Sequence, residues 1–367
     1  MYGAAGEPLP GLDSALIVRF ERGRSLFHYP FLPEQGLGPL FNQQRCSSCH
    51  DLPTLGGFGA ETVMKAVSWD PVSGRCDLLV DQGGDMVQSQ ATPLLQAAGI
   101  EREAIPARTT HIAFTRAPAL YGLGLVESIP ESAILERADS ADVDGDGISG
   151  RVGRTADGRA GRFGRRGEFA TLREFIANAA LLEMGLTSSL HGAEELVNGQ
   201  PLPPGVDPVP EPELSDESLA VLVDFITLLA VPARERVSGA AADTVRRGER
   251  AFRDAGCGAC HVPELPAGPG ALDAIERGPV PLWSDLLLHD LGEDVAGVCG
   301  RSAGPGEYRT APLMGLRLRQ PYMHDGRADD IERAIGMHGG EAERSRDAYV
   351  GMDRATRAAL LRFLRTL

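Results

Sequence analysis

Two Cys-x-x-Cys-His motifs, Cys46-Ser47-Ser48-Cys49-His50 and Cys257-Gly258-Ala259-Cys260-His261, constrain this chain more than any other feature. Thiols two residues apart can add to both vinyl groups of one porphyrin, and the adjoining histidine then falls onto its iron. A single copy would also suit a redox dithiol or half of a zinc site. Here there are two copies, each after a helical pattern, and neither has a second cysteine pair nearby to complete four zinc ligands. The pattern points to two covalently bound haem c groups, with His50 and His261 as proximal ligands.

At 367 residues the chain has room for two or three domains and needs no cysteine staples for its core. The other two cysteines, Cys76 and Cys299, lie one in each half. They can pair in an oxidising compartment or stand as unrelated thiols; sequence alone does not choose. With 51 acidic and 36 basic side chains the formal charge is −15, which argues against nucleic acid or an anionic membrane surface as partner. It suits a positively charged small redox protein as electron donor. No apolar run approaches the roughly 20 residues that span a bilayer, so no membrane span is expected. The first residues have neither a basic n-region nor an apolar h-region. Thioether attachment of haem follows export, so the expectation is a periplasmic or otherwise exported mature form whose signal peptide has been removed. A dimer is compatible with all of this.

Helical spacing brackets both motifs. Residues 243–252 place Val245, Ala251 and Phe252 at helical intervals, and Gly256 ends the run. Asp353 is placed to cap a final helix with Leu360, Leu361, Leu364 and Leu367 on one face. A weaker copy of this plan, residues 15–27, precedes Cys46. Between the halves lie a Gly- and Asp-rich stretch near 139–167 and a helical run at 168–184. A second run, at 219–229, is apolar nearly all round, with Ser215 or Asp216 as cap and Pro232 as stop. Residues 199–213 hold six prolines and read as an extended linker. The expected fold is mostly α with little sheet. Two cytochrome c-like haem domains, 12–130 and 236–367, flank an inserted Gly/Asp-rich and helical segment, 131–235.

What each iron does depends on its other face, since a strong sixth ligand makes an electron carrier and an open face binds peroxide or oxygen. Candidates in the second half are His289, Met314, Met323, His324, Met337 and His338; in the first half they are Met64, Met86, His28 and His111.

Three segments carry a family likeness: Pro312-Leu313-Met314-Gly315-Leu316, Pro321-Tyr322-Met323-His324-Asp325-Gly326-Arg327-Ala328, and the run from Ile331 to Ala342 containing Met337-His338-Gly339-Gly340. With Gly38-Pro39-Leu40-Phe41-Asn42, Leu120 to Glu127, Asp144 to Arg151 and Ser284 to Asp290, the chain resembles the bacterial dihaem cytochrome c peroxidase superfamily. Within it the match is closest to the dihaem oxidoreductase branch, also called thiol oxidoreductase-like. The resemblance implies a six-coordinate C-terminal haem that relays electrons and an N-terminal haem where peroxide reacts. Counting on from Ile335 as the family does lands on His338 as the relay haem's distal ligand, with Met337 in reserve. No histidine follows His50 closely, so that iron is either open or closed by Met64 or Met86. His324 and His289 are assigned to propionate or supporting contacts.

Peroxide cleavage needs a group that moves a proton between the two oxygens. Glu127, one acid inside the apolar run Leu123 to Ile129, is the first choice, against a structural glutamate paired with Arg116. His111 is the weaker alternative. Trp69, Trp283 and Tyr121 are candidate electron relays. Asp142, Asp144 and Asp146 stand at positions 1, 3 and 5 of a calcium loop with Gly147 at 6, but position 12 is Gly153, leaving Asp139 or Asp157 to complete the set. Two functions follow. One is a dihaem oxidoreductase that reduces hydrogen peroxide or uses it to oxidise a protein substrate. The other is an electron-transfer cytochrome with both irons six-coordinate. Thiol oxidation has no support, since Cys76 and Cys299 form no Cys-x-x-Cys pair.

Overall fold

The computed structural model describes residues 1–268 and 278–367. About 33% is helix and 15% strand. Described helices in the first half are α1 Ser14–His28, α2 Pro93–Ala97, α3 Leu123–Glu127, α4 Glu131–Leu135 and α5 Leu172–Met184. There follow α6 Asp216–Leu228, α7 Gly239–Asp254, α8 Ile331–Gly336, α9 Glu343–Gly351 and α10 Arg354–Leu364. Strands β1 Tyr2–Gly3, β2 Leu40–Phe41, β3 Thr62–Asp70, β4 Arg75–Asp77, β5 Met86–Val87, β6 Gln90–Ala91 and β7 His111–Arg116 precede α3. The last three are β8 Val231–Pro232, β9 Leu288–Asp290 and β10 Glu307–Arg309.

The helix boundaries have visible causes. Asp13 accepts from Leu16 N at the start of α1, Ser215 accepts from Ser218 N at the start of α6, and Asp353 accepts from Ala355 N and Thr356 N at the start of α10. Thr171 and Glu174 form a capping box on α5. This helix starts at Leu172, later than the expected 168, because Glu168 N turns back to Phe163 O.

Each motif helix crosses a closing helix at a glycine. A Cβ on Gly23 of α1 would lie 2.4 Å from Val221 O of α6, and one on Gly248 of α7 would lie 1.9 Å from Ala359 O of α10. Four residues beyond each glycine a phenylalanine fills the crossing. Phe27 packs on Phe225 (4.8 Å between ring centroids) and faces His50 (6.1 Å); Phe252 packs on Phe363 (5.6 Å) and faces His261 (6.4 Å). The helix that closes the first unit is therefore α6, which lies within the 131–235 stretch read from sequence as an insertion.

The expectation of little sheet needs correction. β3 pairs antiparallel with β7 from Thr62↔Arg116 to Val67↔His111, and with β5 and β4 on its other edge. Alternation here was diluted by Lys65, a charged residue on the inward parity of β3, and by the short length of β7. The sheet is joined to the C-terminal half by a disulfide, Cys76–Cys299, with Cα atoms 5.9 Å apart across 223 residues of sequence. Val67, Val298 and Cys299 bury one another there. No helix among the described residues is long and apolar enough to cross a membrane.

Because the disulfide closes so long a loop, Cys76→Ser is expected to lower the unfolding free energy by about 2–5 kcal/mol. Thermal unfolding with and without reductant checks this; an unchanged Tm in both comparisons would contradict it.

Candidate active site

Both motifs open onto one cavity of about 1090 Å3, lined by Cys46, Cys49, His50, Cys257, Cys260 and His261. Each cysteine pair sits in a single 3-10 turn, Cys46–Ser48 and Cys257–Ala259. The thiols are free, and burial pushes Cys46 and Cys49 up to about 12 and Cys257 to about 11. A redox dithiol needs the opposite, a thiolate stabilised by its surroundings.

The imidazoles share one anchoring device. His50 Nδ1 meets Gly57 O at 3.2 Å, His261 Nδ1 meets Trp283 O at 3.0 Å, and His338 Nδ1 meets Ala334 O at 2.8 Å. A ring whose Nδ1–H donates to a carbonyl keeps its lone pair on Nε2, the arrangement of a metal-ligating histidine. Burial lowers the pKa of all three, His261 to about 4, which favours the neutral, ligating form. His338 lines the same cavity and its charge acts on His261, so the two rings lie on the same part of it.

Three half-buried guanidiniums, Arg165, Arg309 and Arg319, also line the cavity, and none makes a salt bridge among the described residues. Burial lowers the pKa of each, Arg309 and Arg319 to about 10, and their charges act on one another. Their donors reach only backbone carbonyls such as Arg116 O, Gly164 O and Met314 O, and Arg319 Nε meets no acceptor. Half-buried cations of this kind call for anions in the cavity. The carboxylates of haem propionates have that charge, so the residues present fit two haems.

Other sequence-derived candidates fall in varied places. His289 is held by Asp285 (2.9 Å) and Glu341 (2.8 Å), one on each ring nitrogen. Burial lowers its pKa, but hydrogen bonds to Asp285, Cys260 and Glu341 outweigh this and raise it to about 12, making a charged support behind the second motif. His324 lines the cavity, stacks on Tyr308 at 4.8 Å and is pushed down to about 4 by burial. Tyr121 lines the cavity with its hydroxyl on Thr54; Trp283 packs behind His261, while Trp69 lies in the disulfide cluster.

Glu127 and His111 are not among the cavity-lining residues. Glu127 accepts from Leu172 N at 2.7 Å, capping α5, and its nearest cation is Arg162 rather than Arg116. His111 sits at the outer start of β7, on Thr110 Oγ1. Met64 is also absent from the lining, whereas its strand neighbours Val63 and Lys65 are present; period-two alternation turns Met64 to the other face. Met86 lines the cavity and Met337 does not. In the acidic loop Asp139 joins Asp142 and Asp144 in one cluster of carboxylates, while Asp146 turns away to accept from Ile148 N. Asp157 is taken by Thr155 and Arg159.

Sequence reasoning missed several lining residues: His191, Lys65, Glu183 and the three arginines. Glu183 carried a signal, an acid in the last turn of a helix, against the dipole, amid Leu181, Leu182 and Met184. Burial raises Glu183 to about 7 despite a hydrogen bond from Asn42 and the charge of Lys65.

Residues 109–367 match the family described as "Di-haem oxidoreductase, putative peroxidase". The chain belongs to this family. A di-haem oxidoreductase is what the paired motifs, the anchored imidazoles and the cationic cavity serve. No curated protein matches the chain. Among solved structures, hydrazine synthase of Kuenenia stuttgartiensis is similar at 16% identity and a TM-score of 0.43, covering 100% of this chain and 97% of that one. A MauG-like protein associated with microbial copper homeostasis gives 16% and 0.43, over 100% and 92%. The diheme peroxidase BthA of Burkholderia thailandensis gives 15% and 0.44, over 97% and 86%. Likeness at this level carries no statement about activity.

Two further buried acids give this di-haem oxidoreductase a pH signature. Burial raises Glu103 to about 8 and Glu195 to about 7, from an ordinary value of 4.5. Between these values the folded chain keeps protons that the unfolded chain has released, so their stabilising contribution is full below about pH 4.5 and is lost as pH rises through 7 to 8. The Tm is expected to fall over that window, and Glu103→Gln to flatten the fall. A Tm that rises across the window would contradict the assignment.

Proposed function

We propose that this di-haem oxidoreductase is an exported peroxidase whose haems are bound covalently, through Cys46 and Cys49 and through Cys257 and Cys260. Such haems supply one-electron redox chemistry and, where a coordination position is open, a place for peroxide. The observation that carries this reading is an asymmetry between the two ends of the cavity. His261 has His338 near it, half-buried and likewise tied through Nδ1, so the two would be placed to ligate the same haem. Of Met86, Met184, His191, Met314, Met323 and His324, which also line the cavity, none has a ring nitrogen tied to a backbone carbonyl among the described residues, and none is linked to His50 as His338 is to His261. The His261 end is built to carry electrons and the His50 end to bind a small molecule.

The residues around each end have separable tasks. His50 and His261 are oriented by Gly57 O and Trp283 O, and Phe27 and Phe252 hold the rings from the side. Arg165, Arg309 and Arg319 hold propionates. Glu183 replaces Glu127 as the acid that gives and takes a proton at the cavity wall, since it lines the cavity and titrates near neutrality. Electrons come from a small redox protein, favoured as a basic partner by the −15 charge. The oxidant is hydrogen peroxide, reduced to water or used against a protein substrate. Calcium is proposed at Asp139, Asp142 and Asp144, a loop tied to the His338 segment by Ser149 to Glu341 and Arg344 to Asp146 O. The Cys76–Cys299 disulfide agrees with an oxidising compartment.

Two measurements test this. Low-temperature electron paramagnetic resonance of the haem-loaded protein, oxidised and half-reduced, should show a high-spin ferric signal that stoichiometric peroxide removes. Two low-spin signals with no peroxide response in either state would leave an electron-transfer cytochrome instead. In His338→Ala, one low-spin signal should convert to high spin while the other haem keeps its spectrum. An unchanged spectrum would remove His338 from the iron.

A further inference from the structure

Reducing one peroxide to two waters consumes two electrons and two protons. The electrons come from the donor through the haems, and the protons must reach the His50 end of a cavity whose described lining mixes buried and exposed side chains. A set of carboxyl groups lies beside the His50 end: Glu183, Asp85 and Glu195 line the cavity, Glu103 is buried behind them, and the site described above uses only Glu183.

Glu183, at the end of α5, lines the cavity, and its charge acts on both Cys46 and Cys49. Its Oε2 accepts from Asn42 Nδ2 at 3.2 Å, and Lys65 and Asp85 are its charged neighbours. Lys65 Nζ bonds Asp85 Oδ2 at 2.6 Å. Asp85 follows Gly83 and Gly84, both at positive φ (123° and 89°). A Cβ on Gly84 would stand 2.5 Å from Glu195 Oε2, and one on Gly83 would stand 2.3 Å from Glu103 Oε1. The missing side chains are what let two carboxyl groups approach the backbone here. Both oxygens are buried, and among the described residues neither meets a donor. The groups sense one another: Asp85 acts on Glu195, and Glu195 on Glu103. Gln88 ties the outer end to α5, its backbone N donating to Glu103 Oε2 (2.7 Å) and its side chain to Leu182 O (3.3 Å). Glu103 is buried, yet Glu101, Arg102 and Ala104 around it are exposed.

A carboxyl with a buried oxygen that meets no donor favours the neutral acid, and a neutral acid can release a proton from one oxygen and take one up on the other. We propose that Glu103, Glu195, Asp85 with Lys65, and Glu183 form a proton route from the protein surface to the wall of the His50 haem pocket. This rests on the reading that reductive chemistry occurs at that haem. The route passes protons and is itself unchanged; the two electrons are the donor's. Burial places the three glutamates near 7 to 8, so neither form is strongly trapped at neutral pH.

The test uses the haem-loaded protein and two readouts that need no peroxide. The first is the midpoint potential of the His50 haem against pH. It should fall as pH rises through about 7, where Glu183 releases its proton, and Glu183→Gln should remove that dependence. The second is proton uptake after rapid photoreduction, followed with a pH indicator dye. Glu103→Gln and Glu195→Gln should slow uptake by about tenfold or more while leaving the pH dependence of the potential intact. A pH-independent potential in the wild type, or wild-type uptake rates in both outer variants, overturns the route. Should Glu183→Gln fail to take up haem, the outer variants, which are remote from Cys46 and Cys49, still decide it. Peroxide turnover is scored separately, so a protein with this proton behaviour and no turnover would sink the peroxidase reading and leave the route standing.

Discussion

Three backbone carbonyls, Gly57 O, Trp283 O and Ala334 O, decide which nitrogen of three half-buried imidazoles is free. Everything chemical in the molecule follows from that choice. A histidine held through Nδ1 presents Nε2 in a fixed direction and, where burial lowers its pKa, stays neutral. Had the rings been free to rotate, the cavity would be an apolar space with weakly placed bases. Because they are tied, it has three fixed ligand directions, two of them sharing one end.

One of these carbonyls belongs to a residue seated on a helix crossing, Trp283, which packs on Phe252 and Phe363. Gly23 and Gly248 let α1 and α7 lie directly against the backbones of α6 and α10, and the phenylalanine one turn later bridges from the crossing to the imidazole. The same four-residue spacing in both halves shows that the repeat is physical. It is a close contact, a wedge and a ligand, built twice with different loops between. The first copy borrows its closing helix from about 170 residues beyond its motif, so the halves are interleaved in sequence although each is closed in space.

Charge is distributed within the cavity with a similar logic. Among the described residues three guanidiniums without carboxylate partners lie in it, and carboxyl groups, of which Glu103 and Glu195 have no cationic partner, lie on or behind its N-terminal side. Each would be costly alone. The guanidiniums cannot shed their charge at working pH and therefore require anions, which two haems bring. The carboxyls can shed theirs by holding a proton, and burial drives them to do so. One cavity thus holds unpaired positive charge, which haem propionates would balance, beside carboxyl groups that burial keeps neutral.

The haem motifs, their histidines and the capped helices at Asp353 and Ser215 were legible in the amino-acid sequence, because each rests on residues within a few positions of one another, whereas His338 was singled out only by the family resemblance. Capping, helical periodicity and the Cys-x-x-Cys-His spacing are local, and local chemistry survives in any compact context. Which lone acid faces the cavity was not legible. Glu127 and Glu183 both stand alone among apolar residues, and only tertiary packing turns the first onto the N-terminus of α5 and the second onto the cavity wall. Met64 and Lys65 are neighbours in the chain, and the pleat of β3 sends them to opposite faces. The pairing of Cys76 with Cys299 and the gathering of Arg165 with Arg309 and Arg319 each bridge more than 140 positions of sequence. Contacts at that range are set by how helices and sheet stack, a property of the whole fold that no short window of sequence contains.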